Sequence, residues 1–206
     1  MPKETFLKLS KEKQQKIIKS AKKEFARAPI ENVSIKNIVE DADIARGSFY
    51  QYFENKEDLL IYILKENSEK LNTKLKNKVK ENNGDIFELY IFLYDSMIEE
   101  FTDNSDQELF RQIFINLKSS DENVFDLVKR TKPQDIIDYY EQIDKSNLKI
   151  ENYEDLVIIC DMLNAITRRA VIKNFKNKSK EYCRKMFLKE IEYLKYGIEK
   201  KEEKDD

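Results

Sequence analysis

Residues 45–60 read Ala45-Arg46-Gly47-Ser48-Phe49-Tyr50-Gln51-Tyr52-Phe53-Glu54-Asn55-Lys56-Glu57-Asp58-Leu59-Leu60, or ARGSFYQYFENKEDLL. Phe49 and Phe53 stand at helical spacing and point inward together. Arg46, Gly47, Ser48, Tyr50, Gln51 and Tyr52 are left for the other faces. A short helix that only packs on a core needs no glycine at its start. Nor does it need two tyrosines and a glutamine turned outward. This piece is made to touch something.

Upstream, the chain from Ser10 reads SKEKQQKIIKSAKKEFAR, with Ile17, Ile18, Ala21 and Phe25 on one helical face and lysines on the other. Ala28-Pro29 ends that helix, because the proline ring disfavours helical geometry in the residue before it. Ser34 is a good N-cap for a second helix whose stripe is Ile35, Ile38, Val39 and Ala42. Asp43 follows and tolerates a left-handed turn. Ile44 then leads into the opening stretch. Asn55 caps the next helix, with Glu57 and Asp58 suited to its first turn.

Two short helices joined by a tight turn form a helix-turn-helix, whose second helix enters the major groove of DNA. The outward residues suit that task. Arg46 pairs with guanine edges or phosphate, and Gln51 reads adenine. Gly47 lets backbone approach the duplex closely. Ser48, Tyr50 and Tyr52 offer hydroxyls to phosphates, which fix register without reading sequence. Ser34 and Lys36 open the first helix of the unit, where free N–H groups favour a phosphate, and Lys56 does the same from the other side. A small helical subdomain with an ordinary polar surface is the competing reading.

Composition narrows the class. The 206 residues hold only three glycines and three prolines, with 38% charged and 40% hydrophobic residues, a balance for long helices rather than strands. No apolar run approaches the roughly 20 residues that cross a bilayer. The start, MPKETFLKLSKEKQQ, lacks the apolar core of a signal peptide. The expectation is a soluble, cytoplasmic protein with no membrane partner. Cys160 and Cys183 lie within helical patterns and read as free thiols. There is no histidine, so Ser-His and Cys-His nucleophile pairs are excluded, and a zinc site would need unusual ligands. No catalytic residue, metal site or cofactor is expected. Residues 1–56 carry 12 Lys/Arg against 8 Asp/Glu, whereas the remaining 150 carry 26 against 32. A mildly basic head on an acidic body fits a head that meets polyanions. Solvated helix faces account for the same charge equally well.

Residues 6–60 resemble the DNA-binding domain of TetR-family transcriptional repressors. The resemblance rests on IIKSAKKEFAR, on VSIKNIVEDADI and on the run RGSFYQYFENKEDLL. The chain departs from the family pattern at Asp43, where glycine is usual, and at Ala45, where serine is frequent. Ala45 leaves the recognition helix without a side-chain cap. The loop Ala28-Pro29-Ile30 replaces a glycine-aromatic pair.

Beyond Lys56 the chain reads as further helices. The first is KEDLLIYILKENSEKLNTKLKNKVKENNG, stopped near Asn83-Gly84. DIFELYIFLYDSMIEEFTDN, DQELFRQIFINLK and PQDIIDYYEQI follow, with breaks at 103–105 and 118–122. YEDLVIICDMLNAITRRAVIKNF and SKEYCRKMFLKEIEYLKYGIEKK are long and amphipathic. The family resemblance implies that this body senses a ligand and dimerises through its last two helices. Interface candidates are Ile158, Met162 and Ile166 on the penultimate helix, and Phe187, Ile191, Leu194 and Ile198 on the last. Phe92, Met97, Phe101, Phe110, Phe114 and Tyr140 are pocket candidates, although core packing explains such residues as well. Asn116, Asn164 and Arg168 are polar groups suited to orienting a ligand.

The expected architecture is all-α. An N-terminal three-helix helix-turn-helix domain (1–55) joins a larger helical effector-binding and dimerisation domain (56–200), with a disordered tail (201–206). The expected function is a homodimeric repressor on a palindromic double-stranded DNA operator, released by an apolar or amphipathic small molecule. A helical interaction protein that keeps the fold without sequence-specific DNA binding is the alternative. An enzyme is a third class, for which no nucleophile-base pair, phosphate loop or metal cluster is found.

Overall fold

The computed structural model describes residues 2–102, 107–116, 141–176 and 179–197. Among these residues there is no β-strand, in accord with the all-helical reading. They fall into two compact units, one within Met1–Lys76 and Glu99–Asp138, the other within Asn77–Ile98 and Tyr139–Asp206. The boundary expected after residue 55 thus falls inside the first unit.

In the first unit, helices α1 (Glu4–Leu7), α2 (Lys11–Arg27), α3 (Ile35–Ala42) and α4 (Arg46–Tyr52) precede α5 (Lys56–Glu81), which runs on past Lys76. Side chains start most of them. Ser10 Oγ accepts the Lys13 N–H at 3.3 Å, and Ser34 Oγ accepts the Asn37 N–H at 3.4 Å. At α5, Asn55 Oδ1 accepts the Asp58 N–H at 2.8 Å while Asp58 Oδ2 accepts the Glu54 N–H at 3.2 Å, a reciprocal cap. Helix α4 begins at Ala45 with no side-chain cap. Asp43 sits at φ 55° and ψ 52°, the left-handed geometry expected of the turn. Helix α2 packs on α3 and on α7 (Gln107–Asn116). Ile17, Phe25, Ile38, Phe49 and Phe53 are buried in this unit.

A carboxylate that sequence pattern did not single out holds the loop before α3. Glu24 is buried on α2, paired with Arg27 at 2.6 Å and 2.8 Å. It also accepts the Ser34 N–H at 3.0 Å and the Asn37 side-chain amide at 3.2 Å. Arg27 first, then the Ser34 and Asn37 donors, outweigh burial and lower its pKa from the ordinary 4.5 to about 2. A depressed carboxylate stabilises the fold fully above the unfolded value and less as pH falls toward the folded one. Arg27 is about half exposed, so solvent screens part of this effect, and on the order of 1–2 kcal/mol should be lost between about pH 4.5 and pH 2. Chemical denaturation across that window should show the loss in wild-type protein. Glu24→Gln should be less stable at pH 7 and flatter below pH 4.5; a parallel curve would remove Glu24 from this role.

In the second unit, α6 (Ile86–Thr102) contributes residues up to Ile98, and α8 (Tyr153–Lys176) packs on α9 (Lys180–Tyr196). The Tyr94 ring stacks on Phe187 with centroids 4.4 Å apart, and the Asn174 side-chain amide donates to its hydroxyl at 3.1 Å. Arg184 grips Asp95 with two bonds of 2.7 Å. Cys160 and Cys183 are buried. Helix α5 ends at Glu81, just before Asn83 and Gly84, both at positive φ, near the expected stop. Among the described residues no helix is long and apolar enough to cross a membrane.

Burial in the single chain separates the interface candidates. Phe187 is 1% exposed and Ile191 is 3% exposed in the single chain. Side chains already enclosed by their own chain have no surface to offer a second copy. Ile166 and Leu194 are half-buried, whereas Ile158 and Met162 are 57% and 44% exposed. Ile198 lies outside the described residues.

Candidate nucleic-acid interface

Helix α4 divides cleanly. Phe49 and Phe53 are fully buried, with ring centroids 6.0 Å apart, and Phe53 meets Phe6 of α1 at 4.7 Å. Arg46, Gly47, Tyr50 and Gln51 are exposed, and Ser48 and Tyr52 are half-buried. A Cβ added at Gly47 would meet nothing within 4 Å. Packing therefore does not demand this glycine, which costs about 1 kcal/mol in a helix relative to alanine. A close approach by something outside the chain would explain it.

The flanking candidates are more committed to the fold. Ser34 caps α3 through its hydroxyl. Lys36 is exposed and lies 3.7 Å from Glu40. The Lys56 ammonium donates to the carbonyls of Glu31 at 2.8 Å and Val33 at 3.3 Å, tying the start of α5 to the loop before α3. Its charge remains at the same edge of the unit as the N-terminus of α3. Sequence reasoning missed the N-terminal segment altogether. Lys3, Thr5 and Phe6 lie against α4, and a single aromatic among charged residues, MPKETFLK, was the only hint.

The described pocket candidates fall in both units. Phe92, Met97, Asn164 and Arg168 are half-buried in the second unit, with the Lys78 ammonium 5.5 Å from the Phe92 ring. Phe110 is buried in the first unit. The side chains of Phe101, Phe114 and Asn116, and all of Tyr140, lie outside the described residues.

Residues 17–63 match the family described as "Bacterial regulatory proteins, tetR family", and residues 85–198 match "Tetracyclin repressor-like, C-terminal domain". The chain belongs to the TetR family. The first match spans α2 to the start of α5, the second the body, so this TetR-family chain is a DNA-binding transcriptional regulator. It is similar to an HTH-type transcriptional regulator of Staphylococcus aureus, with 23% identity over 174 residues, 72% of this chain and 92% of that one. Its fold resembles FadR from Bacillus subtilis in complex with stearoyl-CoA, at a TM-score of 0.66 and 20% identity, covering 90% of this chain and 99% of that one. Thermus thermophilus FadR in complex with lauroyl-CoA gives a TM-score of 0.66 at 14% identity, over 93% and 98%.

Proposed function

We propose that the chain is a homodimeric repressor whose two α4 helices occupy major-groove half-sites about one DNA turn apart, released by an amphipathic acyl compound. The observation that carries the DNA side is the division of α4. Two phenylalanines are fully buried, and Arg46, Gly47, Tyr50 and Gln51 are exposed. Dimerisation is supported by Ile158 and Met162 on α8 and by Tyr182, Tyr193 and Tyr196 on α9, large side chains left exposed on two helices that pack together. The acyl class is suggested by the two FadR complexes. Release is a population shift, in which ligand favours a dimer state whose helices no longer match the half-sites. A preference of a few kcal/mol suffices.

Selection of bound duplexes from a random pool, with and without long-chain acyl-CoA, tests the proposal. Enrichment of a palindrome, lost on adding acyl-CoA, is the expected result. No enrichment of any sequence would favour the interaction-protein alternative. Within the enriched site, Arg46→Ala and Gln51→Ala should each change the preferred bases, at a cost of roughly 1–3 kcal/mol where a bidentate base contact is lost. Equal weakening on specific and unrelated duplexes, by fluorescence titration, would make both residues backbone contacts instead.

A further inference from the structure

A seven-residue helix is far below the roughly 12–15 residues that hold helical form alone, so the geometry of α4 is imposed by its neighbours. Its last carbonyls show how. The Phe49 carbonyl accepts the Phe53 N–H at 2.9 Å, which closes the helix. The carbonyls of Tyr50, Gln51 and Tyr52 have no following turn to pair with. All three are taken by the N-terminal segment. Lys3 Nζ donates to the Tyr50 carbonyl at 2.8 Å, the Thr5 hydroxyl donates to that of Gln51, and the Lys3 N–H donates to that of Tyr52 at 2.8 Å. The Lys3 ammonium also sits at the negative end of the helix dipole.

The segment is itself held firmly. Phe6 is fully buried, with its ring 4.7 Å from Phe53 and 5.4 Å from Tyr62 of α5. Buried Gln14 of α2 places its side-chain amide within 3.0–3.3 Å of the Phe6, Leu7 and Leu9 carbonyls. The backbone of Tyr50 and Gln51 is therefore tied, through Lys3 and Thr5, to α2 and α5. These are two of the residues whose side chains face outward for DNA.

We propose that Lys3 and Thr5 are positioning residues for the recognition helix, setting its aim in the groove and hence operator preference without touching DNA. This rests on the reading that α4 enters the major groove. A tilt of α4 moves Arg46 and Gln51 off base edges, where hydrogen-bond geometry is strict. Phosphate contacts tolerate such a shift, so binding to unrelated DNA should persist.

The test compares wild-type protein, the double variant Lys3→Met/Thr5→Val and the conservative pair Lys3→Arg/Thr5→Ser on the selected operator and on an unrelated duplex. Lys3 and Thr5 are exposed, so their loss leaves hydrated carbonyls rather than a broken core. Circular dichroism should show helix content retained in both pairs; if the double variant melts, Thr5→Val alone carries the same comparison. The expected result is a roughly tenfold loss on the operator, two hydrogen bonds' worth. Affinity for the unrelated duplex and the slope of log affinity against log salt should stay unchanged, and the conservative pair should restore operator binding. Equal loss on both duplexes with a shallower salt slope would overturn the proposal and make Lys3 a phosphate contact. No loss at all would also overturn it. Wild-type protein that discriminates between no duplexes would instead remove the underlying DNA reading.

Discussion

Replacing Ile158 and Met162 together by aspartate should yield a folded monomer that loses operator affinity by about two orders of magnitude or more. The two residues stand four apart on α8, on one stripe, and are 57% and 44% exposed. The single chain thus needs little from them, and its helix content should survive. In a helix-helix interface, by contrast, two carboxylates must be stripped of water with no partner, at several kcal/mol each. A monomer then engages one half-site and forfeits the gain from linking two. Sedimentation gives the mass, circular dichroism the helices and a duplex titration the affinity. A dimer that survives both aspartates would place the interface elsewhere. Phe187→Asp and Ile191→Asp serve as contrast: these side chains lie in the core of the single chain, so either change should unfold the second unit rather than split a dimer.

Gly84→Ala should destabilise the second unit by about 3 kcal/mol or more, at the upper end of what single substitutions usually cost. Gly84 stands at φ +78°, a left-handed geometry that costs an alanine about 1–2 kcal/mol. Space is the greater obstacle. An added Cβ would lie within 2.5 Å of Asp144 N and closer still to the Gln142 carbonyl oxygen. Both are backbone atoms, and the Asp144 N–H is itself bonded to the Gly84 carbonyl at 3.0 Å, so neither can step aside cheaply. Thermal denaturation of the variant should show the loss. Gly47→Ala is the matched control, since its added Cβ meets nothing and the helix should gain slightly in stability. An unchanged melting curve for Gly84→Ala would mean that the 142–144 segment packs less tightly than its geometry shows. Operator binding of Gly47→Ala should fall nonetheless, if the glycine serves close approach to the duplex.

The sequence by itself determined what depends on neighbours within a turn or two. Ser34 and Asn55 cap helices because a short side chain reaches an N–H three residues on, and that geometry is the same in any fold. Asp43 turns left-handed, and Ala28-Pro29 stops α2, for equally local reasons. The spacing of Phe49 and Phe53 was enough to turn Arg46, Gly47, Tyr50 and Gln51 outward, and with them the candidate interface. Only the tertiary structure decided which apolar stripe of a helix faces its own chain. On α9, Phe187 and Ile191 compete with Tyr182, Met186 and Tyr193 at similar helical spacing; Tyr94, 93 residues upstream of Phe187, settles the choice by stacking on one stripe. Glu24 and the Lys3–Phe6 segment were unreadable for the same reason. Their partners, Ser34 and Asn37 in one case and residues 50–53 in the other, lie where only the folded chain brings them. Periodicity records that a face is apolar, but burial depends on what arrives to cover it, and that is a long-range contact.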